Sequence, residues 1–431
     1  MAPSSLNRTH ALIPGGAHTY SKGDDQFPAN APGFIERGEG AFVWDEEGRK
    51  FLDWTMGLRA ISLGYGHRAV NEAAIAQIHK GSNFGRPSRI ETELAEDLVQ
   101  LVPGMDMVKF AKNGSTVTTA AVKLARAYTG RDMVAICKDH PFFSYDDWFI
   151  GSTACDAGIP EVTKALTVAF RYNDLASCEA LFAAHPKRIS CVILEAATTE
   201  SPREQFLHRL RDLCHREGAV FILDEMITGF RFHRGGAQAL FDIHPDLCTF
   251  GKGMGNGYSV AALLGRREIM ELGGLHHSGR RVFLISTTHG AENHSLAAAR
   301  SVIHEFRTND VTGHMAAIGR SMIDGLNAAA RDASVGDFFL AYGFPCNPYY
   351  VCRARDGAPS AEFRTLFMQE MVKGGILAPY IVPSWAHSET DVAKTVDAAR
   401  KAFHVYAHAL DDGWERYLEG PAVKPVFRPY N

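Results

Sequence analysis

The chain lacks most of the features that mark specialised protein classes. Only eight of its 431 residues are cysteine, no two form a C-x-x-C pair, and no His/Cys group has metal-ligand spacing. The scattered thiols therefore read as reduced core residues, which argues against a disulfide framework or a zinc module and suggests a cytoplasmic protein. No stretch approaches the roughly 18 uninterrupted apolar residues that a membrane helix needs. The opening MAPSSLNRTHALIPGG has no apolar core and no cleavage site, so it is not expected to act as a secretory signal. A net charge of −4 leaves no basic footprint for nucleic acid. Internal repeats, charged tails and low-complexity linkers are missing too. What remains, at 46% hydrophobic and 22% charged, has the ordinary composition of a globular enzyme or a large binding protein.

A chain of this length exceeds the size at which one core stops growing, so a large domain with a smaller companion is expected. Residues 34–54, FIERGEGAFVWDEEGRKFLDW, alternate apolar and polar around glycine turns and predict a short antiparallel meander. Helical spacing covers Ala69–Gly81 and Ile90–Leu101. Strand and helix then alternate. Strands are predicted at Met107–Ala111, Met133–Lys138, Ala165–Phe170, Ile189–Glu195, Ala219–Asp224 and Val260–Leu264, with helices at Ser115–Tyr128 and Pro202–Glu217. This is an α/β pattern, implying a mostly parallel sheet with helices on both faces and ligands at the carboxyl ends of the strands. Past Asn309 the texture becomes helical, with helices at Gly313–Ala330 and near Asp391–Leu410. The expected division is 1–55 as an N-terminal segment joining the small domain, 56–308 as the large domain, and 309–431 as the C-terminal small α+β domain.

Two stretches carry the chemistry. Phe221–Arg231, FILDEMITGFR, runs apolar into an acidic pair, and Thr249–Gly257, TFGKGMGNG, sets Lys252 between glycines. A carboxylate at a strand end with a lone lysine on a Gly-rich turn suits a pyridinium cofactor. Pyridoxal 5'-phosphate needs an amine for its Schiff base and an acid that keeps its ring nitrogen protonated. Lys252 and Asp224 are the candidates. A phosphate seat is offered by Lys112-Asn113-Gly114-Ser115-Thr116 at a helix start, where N–H groups and the helix dipole favour a dianion. The plainer alternatives are a surface Gly-Lys-Gly turn and an ordinary Ser/Thr cap.

Taken with IPGGAHTYSKG, GAFVWDEEGRKFLDW, LGYGH, FAKNGSTVTTAAVKLARAYTGR, VILEAA and HPDLCTFGKGMGNG, these blocks resemble the class III aminotransferases among the fold-type I pyridoxal-phosphate transferases. The nearest pattern is the glutamate-1-semialdehyde 2,1-aminomutase-like branch. The resemblance implies that Lys252 carries the cofactor and shifts the proton, and that Asp224 meets the pyridinium nitrogen. It further implies that Glu195 orients the acidic pair and that Gly114, Ser115 and Thr116 hold the phosphate. In the family the active site is shared between two subunits. Thr288, with Thr287 beside it, is then the candidate that reaches the partner's phosphate in a homodimer. The family's Tyr/Phe-His-Gly triplet is replaced here by Phe142-Phe143-Ser144, so Phe142 is the stacking candidate and Phe143 the alternative.

Substrate contacts are where the chain departs from the pattern. Lys22 stands where the aminomutase has an arginine for the substrate carboxylate, and a lysine offers a point charge in place of a planar fork. Met56-Gly57-Leu58-Arg59 replaces a Ser-Trp-Gly block, which makes Arg59 the candidate anion contact. The segment Leu272–Leu284, corresponding to a gating loop, reads as shortened, and a mutase must retain its intermediate. These departures favour intermolecular transfer from an amino donor, such as glutamate, to a carbonyl acceptor, such as a keto-sugar. The aminomutase and a pyridoxal-phosphate racemase or epimerase are the alternatives.

Overall fold

The computed structural model describes residues 5–140, 142–290 and 292–430. Its centre is a seven-stranded sheet in the order Met107–Ala111, Ala261–Gly265, Leu247–Phe250, Val220–Asp224, Ile189–Leu194, Met133–Cys137, Thr167–Phe170. Ala261–Gly265 runs antiparallel to both neighbours, and every other pairing is parallel. The inner strands Ile189–Leu194, Val220–Asp224, Leu247–Phe250 and Ala261–Gly265 are buried at every position. Burial on both faces is why they read as continuous apolar runs instead of alternating ones. The helix Gly114–Thr129 lies against this sheet through Val117, Ala121, Leu124 and Ala125. It stops at Gly130, which adopts the left-handed conformation (φ 67°) that only glycine takes without steric cost.

Two units are distinct. The larger is Arg68–Thr312 with 429–430, and the smaller joins the described residues up to His67 with Gly313–Arg428. Residues 56–67 fall in the smaller unit, because Tyr65 and Gly40 exchange backbone hydrogen bonds at 2.8 and 2.9 Å and Trp385 donates to the Ser62 carbonyl at 2.9 Å. The smaller unit holds the meander Ile35–Glu39, Phe42–Asp45, Lys50–Asp53, extended in parallel by Ile376–Leu377, and a hairpin of Phe339–Phe344 with Asn347–Cys352. Its core packs Trp54, Phe339, Phe367, Phe403 and Tyr406 beneath the helices Ala361–Lys373 and Glu389–Asp412. Ser388 and Asp391 close a reciprocal cap at the start of the latter helix.

Three local features differ from expectation. The helix predicted from Pro202 begins only at Phe206, since Glu204 and Gln205 take left-handed dihedrals (φ 47° and 56°) that a right-handed helix excludes. Leu175–Ala184 forms a helix, and Leu247–Phe250, which runs into the lysine motif, is a strand. Among the described residues no helix is long and apolar enough to cross a membrane.

Candidate active site

Asp224 is the last residue of its strand and is buried. Its Oδ1 accepts the Met226 N–H at 2.9 Å and the Thr249 hydroxyl at 3.0 Å. Burial pushes its pKa up, while the charge of Lys252 and these two donors pull it down. Lys252 follows the neighbouring strand Leu247–Phe250 and opens a tight turn, Lys252–Gly255. Its φ of 43° is left-handed, a strain of about 1–2 kcal/mol for a residue bearing a Cβ. Such strain persists only where the surroundings impose it.

Met226 connects these groups to the turn at 113–116. A Cβ added to Gly114 would stand 2.9 Å from the Met226 sulfur, and one added to Gly251 would stand 2.7 Å from it. A side chain at either position would therefore displace the Met226 thioether, which lies against both backbones. Asn113 caps the helix, taking the Thr116 N–H at 3.0 Å and its hydroxyl at 3.1 Å. Ser115 is buried, and its Oγ accepts the Tyr145 N–H at 3.0 Å. The remaining N–H groups of the first turn, at Gly114 and Ser115, have no partner within the helix. Lys112 is ion-paired with Glu292 at 2.9 Å, so its charge is already balanced.

The two phenylalanines separate clearly. Phe143 is 2% exposed, its ring meets Phe149 edge-on, and its carbonyl accepts the Thr118 hydroxyl at 2.7 Å. Phe142 is 43% exposed and its ring also meets Phe149 edge-on. Glu195 is buried just beyond Ile189–Leu194, beside the Asp224 strand. Thr287 and Thr288 are exposed in a segment, 274–290, that has no helix or strand, and the Thr288 carbonyl accepts the Asn83 amide at 2.9 Å.

In the smaller unit Lys22 is exposed at the end of the turn Tyr20–Lys22. Arg59 is half-buried. Its Nε donates to Asn347 at 2.9 Å, and its guanidinium lies 5.3 Å from the Tyr349 ring centre and 5.1 Å from that of Tyr380. It ends a left-handed turn in which Met56, Gly57, Leu58 and Arg59 all have positive φ, from 42° to 71°. Asp53 clamps that turn. It accepts from Thr55 N–H, the Thr55 hydroxyl, Met56 N–H and the Tyr65 hydroxyl, while Tyr65 Oη accepts the Gly57 N–H at 3.0 Å.

The class-III aminotransferase family model matches residues 22–338. The chain is 32% identical to glutamate-1-semialdehyde 2,1-aminomutase of Chloroflexus aurantiacus over 427 residues, covering 91% of this chain and 94% of that one. It belongs to the class-III aminotransferases. Among solved structures, the FumI protein of Sphingopyxis sp. MTA144 in its PLP internal aldimine form superposes with a TM-score of 0.86 at 27% identity, covering 94% of this chain and 96% of that one. An omega-transaminase from Sphaerobacter thermophilus gives 0.84 at 25%, covering 94% and 97%.

This class-III aminotransferase is thus a fold-type I enzyme dependent on pyridoxal 5'-phosphate. The residues present suit that cofactor. A buried carboxylate whose charge is costly without a cation would meet the ring nitrogen, a lysine amine stands on the adjacent strand end, and an N-capped helix start edged by Gly114 offers donors to a phosphate.

One contributor was missed by sequence reasoning. Glu225 is fully buried, accepts the Ala237 and Gln238 N–H groups at 2.7 and 2.8 Å and the Thr228 hydroxyl, and is pushed up to about 7 by burial. It organises the loop after Asp224.

Proposed function

We propose that this enzyme is an aminotransferase that moves an amino group from glutamate or another amino acid to a carbonyl acceptor in two half-reactions. The observation that carries this reading is the pairing of Asp224 with the Lys252 turn through Thr249 on adjacent strands. Bound pyridoxal phosphate supplies an electron sink conjugated to the substrate Cα. Lys252 would hold the cofactor through Nζ and, once freed by substrate, its amine would take the proton that leaves the substrate Cα. Asp224 keeps positive charge at the ring nitrogen. Gly114, Ser115 and Thr116 would bind the phosphate, Phe142 would stack on the ring, and Glu195 would orient the acidic pair. Thr288 serves the partner's cofactor in a homodimer, so sedimentation as a fully active monomer would contradict that role.

For the acceptor we favour a hydroxylated or anionic carbonyl compound such as a keto-sugar, with Lys22 and Arg59 as its contacts. The planar guanidinium, set by Asn347 between two tyrosine rings, supports recognition of an anion. A second reading, intramolecular transfer as in glutamate-1-semialdehyde aminomutase, is favoured by the 32% identity to curated relatives of that name. Mixing holoenzyme with glutamate separates the two. Release of 2-oxoglutarate with matching loss of the cofactor's visible absorbance supports the aminotransferase. Silence toward amino donors, with turnover of glutamate 1-semialdehyde alone, replaces it with the mutase.

A further inference from the structure

The aromatic segment that begins at Phe142 is fastened to the helix Gly114–Thr129 residue by residue. Thr118 donates its hydroxyl to the Phe143 carbonyl at 2.7 Å. Ser144 Oγ lies 3.0 Å from Thr119 Oγ1, and the Tyr145 N–H donates to Ser115 Oγ at 3.0 Å. Thr119 donates its own hydroxyl to the Asp146 carboxylate and accepts the Trp148 indole N–H at 2.8 Å. A hydroxyl carries a single hydrogen, so with Asp146 taking that of Thr119, the Ser144 hydroxyl is the donor to Thr119. Ser144 in turn accepts the Asp146 N–H at 3.1 Å. Every residue from Phe143 to Asp146 is thus bonded to Ser115, Thr118 or Thr119. Ser144, Asp146 and Trp148 all meet at the Thr119 hydroxyl.

What the fastening holds is set by its two ends. The helix start lies against the Met226 thioether, which a Cβ added to Gly114 would meet at 2.9 Å, and the Met226 N–H donates to Asp224 at 2.9 Å. The other end carries Phe142, whose ring is open while Phe143, Ser144, Trp148 and Phe149 are buried. Phe149, which the Phe142 ring meets at 5.7 Å between centroids, directly follows Trp148. Thr119 therefore sets Phe142 from two sides, through Ser144 along the chain and through Trp148 and Phe149 across the ring. We infer that Thr119 is a positioning residue of the cofactor site, holding the Phe142 ring at a fixed separation from the turn at 113–116. This role rests on the reading of Phe142 as the stacking residue and of Gly114, Ser115 and Thr116 as the phosphate seat. A ring and a phosphate seat fixed beforehand receive a rigid cofactor with little to order on binding.

The test is an absorbance titration of the apo chain with pyridoxal phosphate, on wild type, T119V, T119S, F142A and the double variant T119V/F142A. T119V keeps the side-chain shape without the hydroxyl, and is expected to weaken cofactor binding about tenfold and to shift the visible maximum. T119S keeps the hydroxyl and should bind as the wild type does. Because Thr119 acts through Phe142, F142A should weaken binding as well, and T119V added to it should weaken binding little further. Wild-type binding in T119V, a T119S as weak as T119V, or full additivity of the two losses would overturn the role, since additive losses are what a merely structural weakening gives. If T119V does not fold, T118V tests the same fastening at the Phe143 carbonyl. A loss that vanishes on the F142A background supports it, and unchanged binding or a loss that adds to that of F142A overturns it. Unaltered binding in F142A sinks the stacking reading and the role of Thr119 with it. Weakened F142A beside an unaltered T119V sinks Thr119 alone.

Discussion

Thr249 donates its hydroxyl to Asp224 at 3.0 Å, and that bond ties the strand ending in the carboxylate to the strand leading into Lys252. Two motifs separated along the chain become one rigid unit. Because Met226 also donates to the same Oδ1, the carboxylate cannot rotate without breaking both bonds. A charge stabiliser fixed before substrate arrives needs no reorganisation during reaction.

Removing either member should be severe for turnover and mild for folding. Asp224→Ala is expected to lower kcat by at least about 10³-fold, with far-UV circular dichroism unchanged. Lys252→Ala should abolish turnover and the visible band of covalently held cofactor. Near-normal turnover in the first variant, or a retained band in the second, would reassign the roles.

Glu225 should leave a trace in the pH dependence of stability. Its pKa is raised from 4.5 to about 7 in the folded chain. The folded state therefore gains from its protonated form: that stability is complete below pH 4.5 and is lost as pH rises through 7, a change of about 3 kcal/mol. Glu225→Gln cannot titrate, so its apo urea stability should fall less between pH 5 and 8. The variant should also be weaker throughout, because its amide would face backbone N–H donors at Ala237 and Gln238. Equal slopes in both proteins would contradict this.

Tyr65 is expected to hold the left-handed turn. Tyr65→Phe removes the hydroxyl that donates to Asp53 at 2.6 Å and accepts from Gly57 at 3.0 Å. A loss of about 2 kcal/mol in urea denaturation is predicted, since a buried carboxylate and a backbone N–H both lose a partner. A change below about 0.5 kcal/mol would mean that the turn is held without it.

Arg59→Ala should raise KM for an anionic acceptor about tenfold and leave kcat at saturation nearly constant, the pattern of lost uniform binding. Arg59→Lys should rescue little, because an ammonium cannot reproduce a guanidinium plane set by Asn347 and flanked by Tyr349 and Tyr380. An unchanged KM across charged and uncharged acceptors would remove Arg59 from the substrate contacts.

Much of this was legible in the sequence because it is written locally. Apolar runs bounded by turn residues located Ile189–Leu194 and Val220–Asp224 to within a residue or so, and the glycines around Lys252 marked its turn. The helix over 114–129 was visible from its apolar spacing and its Asn-Gly-Ser-Thr start. Less visible was Leu247–Phe250, four residues masked by the glycines that follow it. The late start of the helix at Phe206 was hidden too, because the dihedrals of Glu204 and Gln205 leave no mark in composition.

The sequence by itself located six of the seven strands of the central sheet and marked the lysine, the carboxylate and the capped helix start, since each depends on neighbours within a few positions. Tertiary structure alone decided that Ala261–Gly265 runs antiparallel between two strands, that Phe143 is core while Phe142 is open, and that Met226 joins Gly114 to Gly251. It alone decided that His140 holds Glu195, 55 residues away. Those outcomes follow from sheet order and register, which bring distant backbone groups within hydrogen-bonding range. No local pattern of residues encodes them.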